Sequence, residues 1–175
     1  AHHEEVEALW AAGSYAVVGT PAENGKLTAP PLDSLREWTQ RADAVFLEAD
    51  GAKRLSCKVP AAHEPVLLPE SDLVLAVAGL SALGRPLHEV CFRLEQACAL
   101  LSAGPDTLLT PELLARMLAD PAGGRKDVGT RDFCVVLNQA DDPERRALGE
   151  KVQALLREQY GAKSVLTTFE KGERA

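Results

Sequence analysis

Three short apolar runs lie along the sequence, and each ends abruptly in glycine or polar residues. They give predicted strands over residues 44–47, 72–79 and 133–137. Apolar runs of this length, bounded by turn-forming residues, are typical of buried β-strands. Because segments with helical periodicity separate them, the sequence predicts an α/β fold with a mostly parallel sheet flanked by helices.

The same patterns predict the remaining elements. Helices are expected over residues 2–12, 32–41, 87–101, 110–118 and 143–160, with shorter strands over 15–19 and 165–169 and a loop over 20–31. Leu35 and Trp38 are expected to face the core from the second helix. Thr110 and Pro111 are favoured residues at a helix start, and Gly161 suits a helix C-terminus.

Length and charge narrow the class of protein. A chain of 175 residues is long enough for one domain with a real core, so we expect a single α/β domain over residues 1–175. The net charge of -7 and the pI near 5.1 argue against a general nucleic-acid or anionic-membrane binder. No apolar run approaches the roughly 20 residues of a membrane span, and no signal peptide is recognisable. We therefore expect a cytoplasmic protein.

The four cysteines show no Cys-x-x-Cys pairing, which argues against a zinc ribbon or a thioredoxin-like motif. Cys91 and Cys98 are expected on one face of a helix, and Cys134 lies in an apolar run as a small buried hydrophobe. Cys57 is the cysteine that falls in the first candidate site described below. Reduced thiols are the expectation for such a protein.

The first candidate site follows the predicted strand over 44–47. It contains the acidic residues Glu48 and Asp50, then Gly51, and a basic loop made of Lys53, Arg54 and Lys58. Open α/β sheets bind ligands at the carboxyl ends of their strands. There a carboxylate can hold Mg²⁺ directly or through water, and glycine lets backbone approach a phosphate. Asp-Gly is also a common turn pair, so a solvated turn remains the alternative.

The second candidate site is the sequence Asn138-Gln139-Ala140-Asp141, again at the end of a predicted strand. It resembles the Asn-Lys-x-Asp motif with which GTPases recognise guanine. A carboxylate at Asp141 would accept hydrogen bonds from N1-H and the 2-amino group of guanine, a donor pair that adenine lacks. Gln139 stands where the motif has lysine, which leaves the choice between GTP and ATP open. Helix capping before Pro143 is the structural alternative.

These segments together resemble a known family. The resemblance extends over residues 48–54, 58–60, 63–65, 79–80, 83–84, 110–112 and 138–141, with Arg93 and Glu95 between them. In this order they resemble the selenium-dependent hydroxylase accessory protein family, YqeC. Cys57 departs from the family, which usually has proline there. Phe92 and Leu94 also depart, because histidine and proline usually flank Arg93.

The resemblance implies a P-loop NTPase-like, nucleotide-binding domain with Mg²⁺ and GTP or ATP as cofactors. It also implies a role in the maturation of selenium-dependent molybdenum hydroxylases. The family's phosphate loop, Gly-x-x-x-x-Gly-Lys-Ser/Thr, is not found in residues 1–175. Its backbone amides and lysine would carry the triphosphate. We therefore expect the domain to be incomplete at its N-terminus, and to hydrolyse nucleotide poorly by itself.

Roles for the site residues follow from this interpretation. Asp50 would hold Mg²⁺ through water, Glu48 would support the metal shell or polarise the attacking water, and Gly51 would contact the γ-phosphate through its amide. The basic loop would order on binding as a switch, although a solvated loop is the alternative. His63 and Glu64 would anchor that switch or act as a base. Lys126 and Arg131 are further candidates for a phosphate or partner contact.

Three hypotheses for the function remain open. The first is a nucleotide-driven maturation factor, an NTPase whose partners are a client hydroxylase or other maturation factors. The second is a non-hydrolysing regulatory module in which nucleotide only sets a conformation. The third is a metal-dependent enzyme using Glu48, Asp50 and His63 without nucleotide; a selenium carrier using the Cys57 thiol is a weaker variant. No nucleic-acid or membrane partner is expected, and a homodimer is possible.

Overall fold

The computed structural model describes residues 3–25 and 27–169. The chain forms two compact units, residues 1–47 and 48–175, which are described separately. The expectation that the whole chain is a single domain stays a prediction. None of the described helices is long and apolar enough to cross a membrane.

The first unit contains two helices and a small hairpin. Its elements are α1 (His3–Ala11), β1 (Thr20–Pro21), β2 (Leu27–Thr28) and α2 (Leu32–Arg41). Both helices confirm their predictions, and Val6, Leu35 and Trp38 are buried. The strand predicted over 15–19 is wrong, because these residues form no strand, and Tyr15 and Val17 are exposed. The antiparallel pair β1–β2 forms instead in the segment predicted as a loop.

The predicted strand over residues 44–47 is also wrong. These described residues carry no strand, and the Phe46 side chain is 86% exposed. A strand needs a neighbour that satisfies its backbone N–H and C=O groups, and no strand among the described residues pairs with this segment. The first candidate site is therefore not held at the end of a sheet strand.

The second unit contains the larger sheet. Its elements are β3 (Cys57–Lys58), β4 (Leu73–Gly79), α3 (Leu87–Val90), β5 (Cys91–Phe92), α4 (Leu94–Leu101), α5 (Pro111–Ala119), β6 (Asp132–Asn138), α6 (Pro143–Tyr160) and β7 (Lys163–Leu166). In the described residues the sheet has the order β4-β6-β7, and both pairings are parallel. This confirms the α/β class and the strands predicted over 72–79 and 133–137. The last strand ends three positions before the predicted residue 169.

The core lies on one face of this sheet. Val135 and Leu137 of β6 are buried in one cluster with Leu114 of α5 and Val152 and Leu156 of α6. A Cβ on Gly149 would lie 2.5 Å from Leu166 Cδ2, so glycine permits the close approach of α6 to the sheet.

The second face of β4 is less buried than predicted. Val74 and Ala78 are buried, whereas Leu73, Leu75 and Val77 are exposed. The expected two-sided burial is therefore wrong for β4. Successive side chains of a strand point to opposite faces, and in this structure the second face of β4 stays exposed.

The helix predicted over residues 87–101 is interrupted. Residues 91 and 92 form β5, which pairs in parallel with β3 in the register Cys57↔Cys91 and Lys58↔Phe92. Arg93 then adopts a left-handed backbone with φ of 64° before α4 begins. The expectation that Cys91 and Cys98 share a helix face is wrong, because β5 separates Cys91 from α4.

The predicted starts of the later helices are confirmed. The Thr110 hydroxyl accepts a hydrogen bond from the Leu113 amide at the start of α5. Asp142, rather than Asp141, caps α6 by accepting from the Arg145 amide at 2.8 Å. Gly161 ends α6 with φ of 59°, a conformation that glycine adopts readily.

Candidate functional site

The two predicted loops meet the same edge of the parallel sheet. Gly79 and Asn138 are register partners at the carboxyl ends of β4 and β6. The Gly79 amide donates to the Ser56 carbonyl at 2.7 Å, and the Ser56 and Ser81 hydroxyls lie 2.9 Å apart. The segment that follows Glu48 is therefore fastened to the end of β4, next to the turn that follows β6. In open α/β sheets this edge is where ligands bind.

Lys58 lies at the centre of the first candidate site. Its Nζ atom is 3.1 Å from Asp50 Oδ2, 3.0 Å from Glu64 Oε2 and 3.1 Å from the Gly51 carbonyl oxygen. Only 10% of the Lys58 side chain is exposed. Four residues singled out from the sequence are thus in direct contact, and β3 positions the lysine that joins them.

Arg93 completes this ion-pair cluster. Its Nη2 donates to Glu64 Oε1 at 2.7 Å and its Nε donates to Glu64 Oε2 at 3.1 Å. The hydrogen bond from Arg93, followed by that from Lys58, lowers the pKa of Glu64 from its ordinary value near 4.5 to about 2. Glu64 is therefore ionised at neutral pH. Its place in the cluster suits an anchor rather than a general base.

Sequence reasoning gave Arg93 no role, although it belonged to the resemblance. The sequence feature that could have indicated a role for Arg93 is the aromatic residue directly before it, Phe92. Three cations surround the Phe92 ring: Arg93 at 4.8 Å, Lys53 at 4.9 Å and Lys58 at 5.8 Å from the centroid. A cation over an aromatic face is electrostatically favourable, so one ring gathers positive charge from two loops.

Lys126, which was a further candidate, supports the same cluster from outside. Its Nζ donates to the Glu64 carbonyl at 2.5 Å and to the Ala62 carbonyl at 3.3 Å. Arg131 lies elsewhere: it donates to the Leu68 and Val128 carbonyls. Lys126 therefore fixes the backbone at Glu64, while Arg131 fastens the segment before β4.

The remaining members of the first site are more exposed. A Cβ on Gly51 would lie 3.4 Å from Glu48 Oε1, so the Glu48 carboxylate borders the Gly51 backbone. Arg54 is exposed, and 77% of the His63 side chain is exposed. His63 Nε2 lies 3.9 Å from Glu64 Oε1, at the margin of the cluster. The structure thus joins Asp50, Lys58 and Glu64 tightly and leaves His63 outside.

Several backbone torsions at this edge are unusual for residues with side chains. Positive φ angles occur at Lys53 (49°), Arg54 (66°), Arg93 (64°) and Gln139 (68°). Such conformations cost free energy and persist where surrounding contacts impose them. Four of the six non-glycine residues with positive φ in the described chain belong to the two candidate sites or contact them. This clustering is typical of functional loops.

The turn after β6 is held by its own side chains. Asn138 Oδ1 accepts from the Gln139 amide at 2.8 Å and from the Thr167 hydroxyl at 3.0 Å. Gln139 Oε1 accepts from the Ser81 amide at 3.4 Å. A Cβ on Gly79 would lie 2.5 Å from that Oε1 atom, so the close approach of Gln139 requires glycine. Asn138 and Gln139 therefore tie the ends of β4, β6 and β7 together.

Asp141 has a structural role in this conformation. Its Oδ1 accepts from the Phe169 amide at 2.9 Å and from the Thr168 hydroxyl at 2.8 Å, and Oδ2 lies 4.0 Å from Arg145 Nη1. The amide of Phe169, and then the Thr168 hydroxyl, lower the pKa of Asp141. The carboxylate is therefore kept ionised at the sheet edge, as an acceptor for a base would have to be.

A small cleft lies beside this turn. It has a volume of about 270 Å³ and is lined by Leu80, Ser81, Leu83, Asp142, Glu144, Arg145 and Leu148. Sites that bury a whole drug-sized ligand usually measure roughly 300–1,000 Å³. The cleft is therefore better matched to part of a ligand.

The carboxylates of Glu48 and Asp50 are the candidate ligands of Mg²⁺. Among the described residues, no group of three or more His, Cys, Asp and Glu side chains is arranged to hold a metal ion. Mg²⁺ commonly takes one or two protein carboxylates and completes its shell with water and phosphate oxygens. Asp50, 24% exposed, and the exposed Glu48 fit that type of site.

Comparison with known proteins gives the family. Residues 1–95 match the family model described as YqeC protein, a range that includes the whole Asp50–Lys58–Glu64–Arg93 cluster but not Asn138–Asp141. An uncharacterised YqeC protein of Escherichia coli (strain K12) is 30% identical over 110 residues, which are 61% of this chain and 43% of that protein. The alignment thus spans less than half of that relative. No solved structure matches the chain. Since the family model covers more than half of the residues, the chain belongs to the YqeC family.

Proposed function

We propose that this protein is an accessory factor that binds a purine nucleoside triphosphate, GTP or ATP, together with Mg²⁺. The client process would be the maturation of selenium-dependent molybdenum hydroxylases, to which the resemblance links the family. One observation carries the nucleotide part. The hydrogen bond from Gly79 to Ser56 brings the Asp50 loop to the sheet edge where the Asn138–Asp141 turn begins. Both halves of a nucleotide site would then face one ligand.

On the phosphate side, Asp50 and Glu48 supply the oxygen ligands that Mg²⁺ prefers. When bound, the ion would neutralise phosphate charge and hold the phosphates in place. Gly51 would offer its amide, and Lys53 and Arg54 would offer charge from exposed positions. The phosphate loop that would complete a P-loop NTPase-like site is not found in residues 1–175. We therefore expect these residues alone to bind nucleotide weakly.

The contacts of Lys58 suggest how the site would respond to a ligand. In this structure Lys58 pairs with Asp50, at 3.1 Å. A magnesium nucleotide would compete for that carboxylate and would offer phosphate oxygens to the lysine in exchange. Glu64 would stay bound to Arg93 throughout. Lys58 thus becomes the residue whose change of partner signals nucleotide binding to β3.

On the base side, Asp141 would accept the guanine donors if its carboxylate turned from the Phe169 amide toward the ligand. Gln139, which replaces the lysine of the guanine motif, is held against Ser81. It therefore belongs to the wall of the site. The titration described below therefore compares GTP with ATP.

A non-hydrolysing module is the second candidate function. The observation that favours it is the state of Glu64, whose pKa of about 2 leaves it without basic strength at neutral pH. His63, the other candidate base, is largely exposed and outside the cluster. The exposed position of His63 also argues against the hypothesis of a metal-dependent enzyme that uses Glu48, Asp50 and His63. A nucleotide that sets a conformation for a client, or for a second copy of the chain, needs no base.

The test is a titration with fluorescent GTP and ATP, with and without Mg²⁺. Saturable binding that Mg²⁺ strengthens supports the proposal, and turnover then separates an NTPase from a module. Asp50→Asn keeps the side-chain shape and should reduce the Mg²⁺ dependence at least tenfold. Asp106→Asn is the matched control, because Asp106 is 90% exposed and distant in sequence from the cluster. Absence of binding at millimolar nucleotide would refute the proposal.

A further inference from the structure

Cys57 and Cys91 face each other across a parallel ladder. They are register partners on β3 and β5. Neighbouring strands lie about 4.8 Å apart, and partner side chains point to the same side of the ladder. Disulfides join cysteines whose Cα atoms are roughly 4.4–6.8 Å apart. Both residues are free cysteines, buried to 2% and 3% exposure. The strand pairing therefore places two thiols at a separation suited to a disulfide.

The two thiols also influence each other's ionisation. Hydrogen bonding with Cys91, together with burial, raises the pKa of the Cys57 thiol. The neighbouring Cys57 thiol lowers the pKa of the Cys91 thiol. Cys57 Sγ itself donates to the Val90 carbonyl at 3.4 Å. Only a thiolate attacks a disulfide, so Cys91 is the nucleophile of the pair. Cys57 keeps its proton until a mixed disulfide has formed.

Each cysteine lies within two residues of a cation of the ion-pair cluster. Lys58 comes after Cys57, and Phe92 and Arg93 come after Cys91. Lys58 and Arg93 meet at the Glu64 carboxylate. A covalent bond between the cysteines would therefore join β3, which carries Lys58, to β5, which directly precedes Arg93. This position distinguishes the pair from Cys98 and Cys134, which lie in α4 and β6.

We propose that Cys57 and Cys91 are a dithiol site that a low-molecular-weight disulfide such as oxidised glutathione converts reversibly into an intramolecular disulfide. The Cys91 thiolate attacks one sulfur of the glutathione disulfide, forms a mixed disulfide and releases one glutathione thiolate. Cys57 gives its proton to that thiolate and attacks Cys91 Sγ, which releases the second glutathione. Two protein thiols are oxidised and one glutathione disulfide is reduced to two thiols, so atoms and electrons balance.

Access to the buried pair comes from local opening. The ladder β3–β5 contains two residue pairs, and short pairings open at a smaller free-energy cost than the whole fold. The reaction should therefore be slower than that of an exposed dithiol but faster than global unfolding. Glutathione in its reduced form reverses it by the same two steps.

The test uses the protein with Cys98→Ser and Cys134→Ser, so that only the pair remains. After incubation with oxidised glutathione and an acid quench, the intact protein should lose two thiols and 2 Da in mass. Tryptic mapping should find the peptides of Cys57 and Cys91 joined. Reduced glutathione should restore both thiols. In the same background Cys57→Ser should leave Cys91 as a stable glutathione adduct.

Three results would overturn the proposal. The first is two titratable thiols remaining in the paired protein under a glutathione ratio that fully oxidises a dithiol peptide. The second, measured on the natural sequence and so independent of any variant's folding, is a tryptic disulfide that joins other cysteines. Oxidation that appears only in urea has the same meaning, because the folded ladder would then play no part. Nucleotide binding does not enter these readouts, so failure of the proposed function leaves this test intact.

Discussion

Arg93 and Glu64 lie 29 residues apart in the sequence and form a two-pronged ion pair, with N···O distances of 2.7 and 3.1 Å. Planar guanidinium matches planar carboxylate in this arrangement, which lysine cannot reproduce. The pair joins the residue that precedes α4 to the loop that follows β3. It therefore connects the parts of the chain that build the candidate phosphate side.

The first prediction concerns this ion pair. Arg93→Ala should lower the free energy of unfolding by more than the control variant below, because Glu64, only 14% exposed, would lose its main partner. Arg93→Lys should recover part of the loss. Urea denaturation measures both. Arg85→Ala, which removes the exposed pair with Glu89, is the control and should cost less than ~0.5 kcal/mol. Equal losses at Arg93 and Arg85 would contradict a special role for the Glu64 pair.

The second prediction concerns pH. The pKa of Glu64 is lowered to about 2, so its stabilising contribution is fully present above about pH 4.5 and is lost as the pH falls through 2. Because solvent screens this partly exposed pair, its contribution to the stability is smaller than the full pKa shift would give. The stability difference between the natural protein and Glu64→Gln should therefore shrink between pH 5 and pH 2. Glu89→Gln is the control at an exposed pair. A difference that stays constant over this range would contradict the prediction.

The third prediction concerns the contact that joins the two candidate sites. Gly79→Ala would place a Cβ 2.5 Å from Gln139 Oε1 and 3.3 Å from Ser56 Cβ. Overpacking typically costs about 1–3 kcal/mol, and we expect a value near the lower end because Gln139 Oε1 is the far end of a flexible side chain. Gln139→Ala should recover most of that loss in a double-mutant cycle, because the flexible end of Gln139 is the obstacle. Thermal denaturation of the three variants measures it.

Gly104→Ala is the control for that cycle. The nearest atom to its new Cβ is Thr107 Oγ1 at 3.9 Å, an ordinary contact distance. We expect no loss of stability there. If Gly79→Ala is equally neutral, the sheet edge is less tightly packed than the structure indicates.

The fourth prediction separates recognition from structure at Asp141. Asp141→Asn should abolish any preference for GTP over ATP, because an amide cannot accept from both guanine donors. Thr168→Val removes the hydroxyl contact to Asp141 but keeps the carboxylate, so it should lower stability and preserve the preference. Competition between the two nucleotides gives the preference, and thermal denaturation gives the stability. Loss of the preference in both variants would mean that Asp141 only organises the turn.

The sequence allowed the elements with local signals to be predicted. The apolar runs of β4 and β6 gave the parallel sheet, and Thr110 with Pro111 gave the start of α5. Residues 44–47 carry the same apolar pattern yet form no strand in this structure. An apolar run indicates only that its side chains favour burial. A strand also requires a second strand, from elsewhere in the chain, with which to pair.

The part of the site that lies within one short stretch of sequence was predictable. Asp50, Lys58 and Glu64 are close in sequence, so one loop brings them together. Arg93 joins them only because β5 replaces one turn of a predicted helix and pairs with β3. The periodicity of residues 87–101 contains no sign of that pairing. Contacts between distant segments decide the cluster, and a single sequence does not encode them in a local pattern.

The register between β4 and β6 bears on how the protein is made. Each residue of β4 pairs with one 59 positions later, as in Leu73↔Asp132. During synthesis the apolar strand β4 therefore leaves the ribosome long before its partner exists, and pairing of such distant segments is slow. The nascent chain therefore has to pass through a period in which this apolar strand is unprotected and prone to associate with other exposed apolar segments.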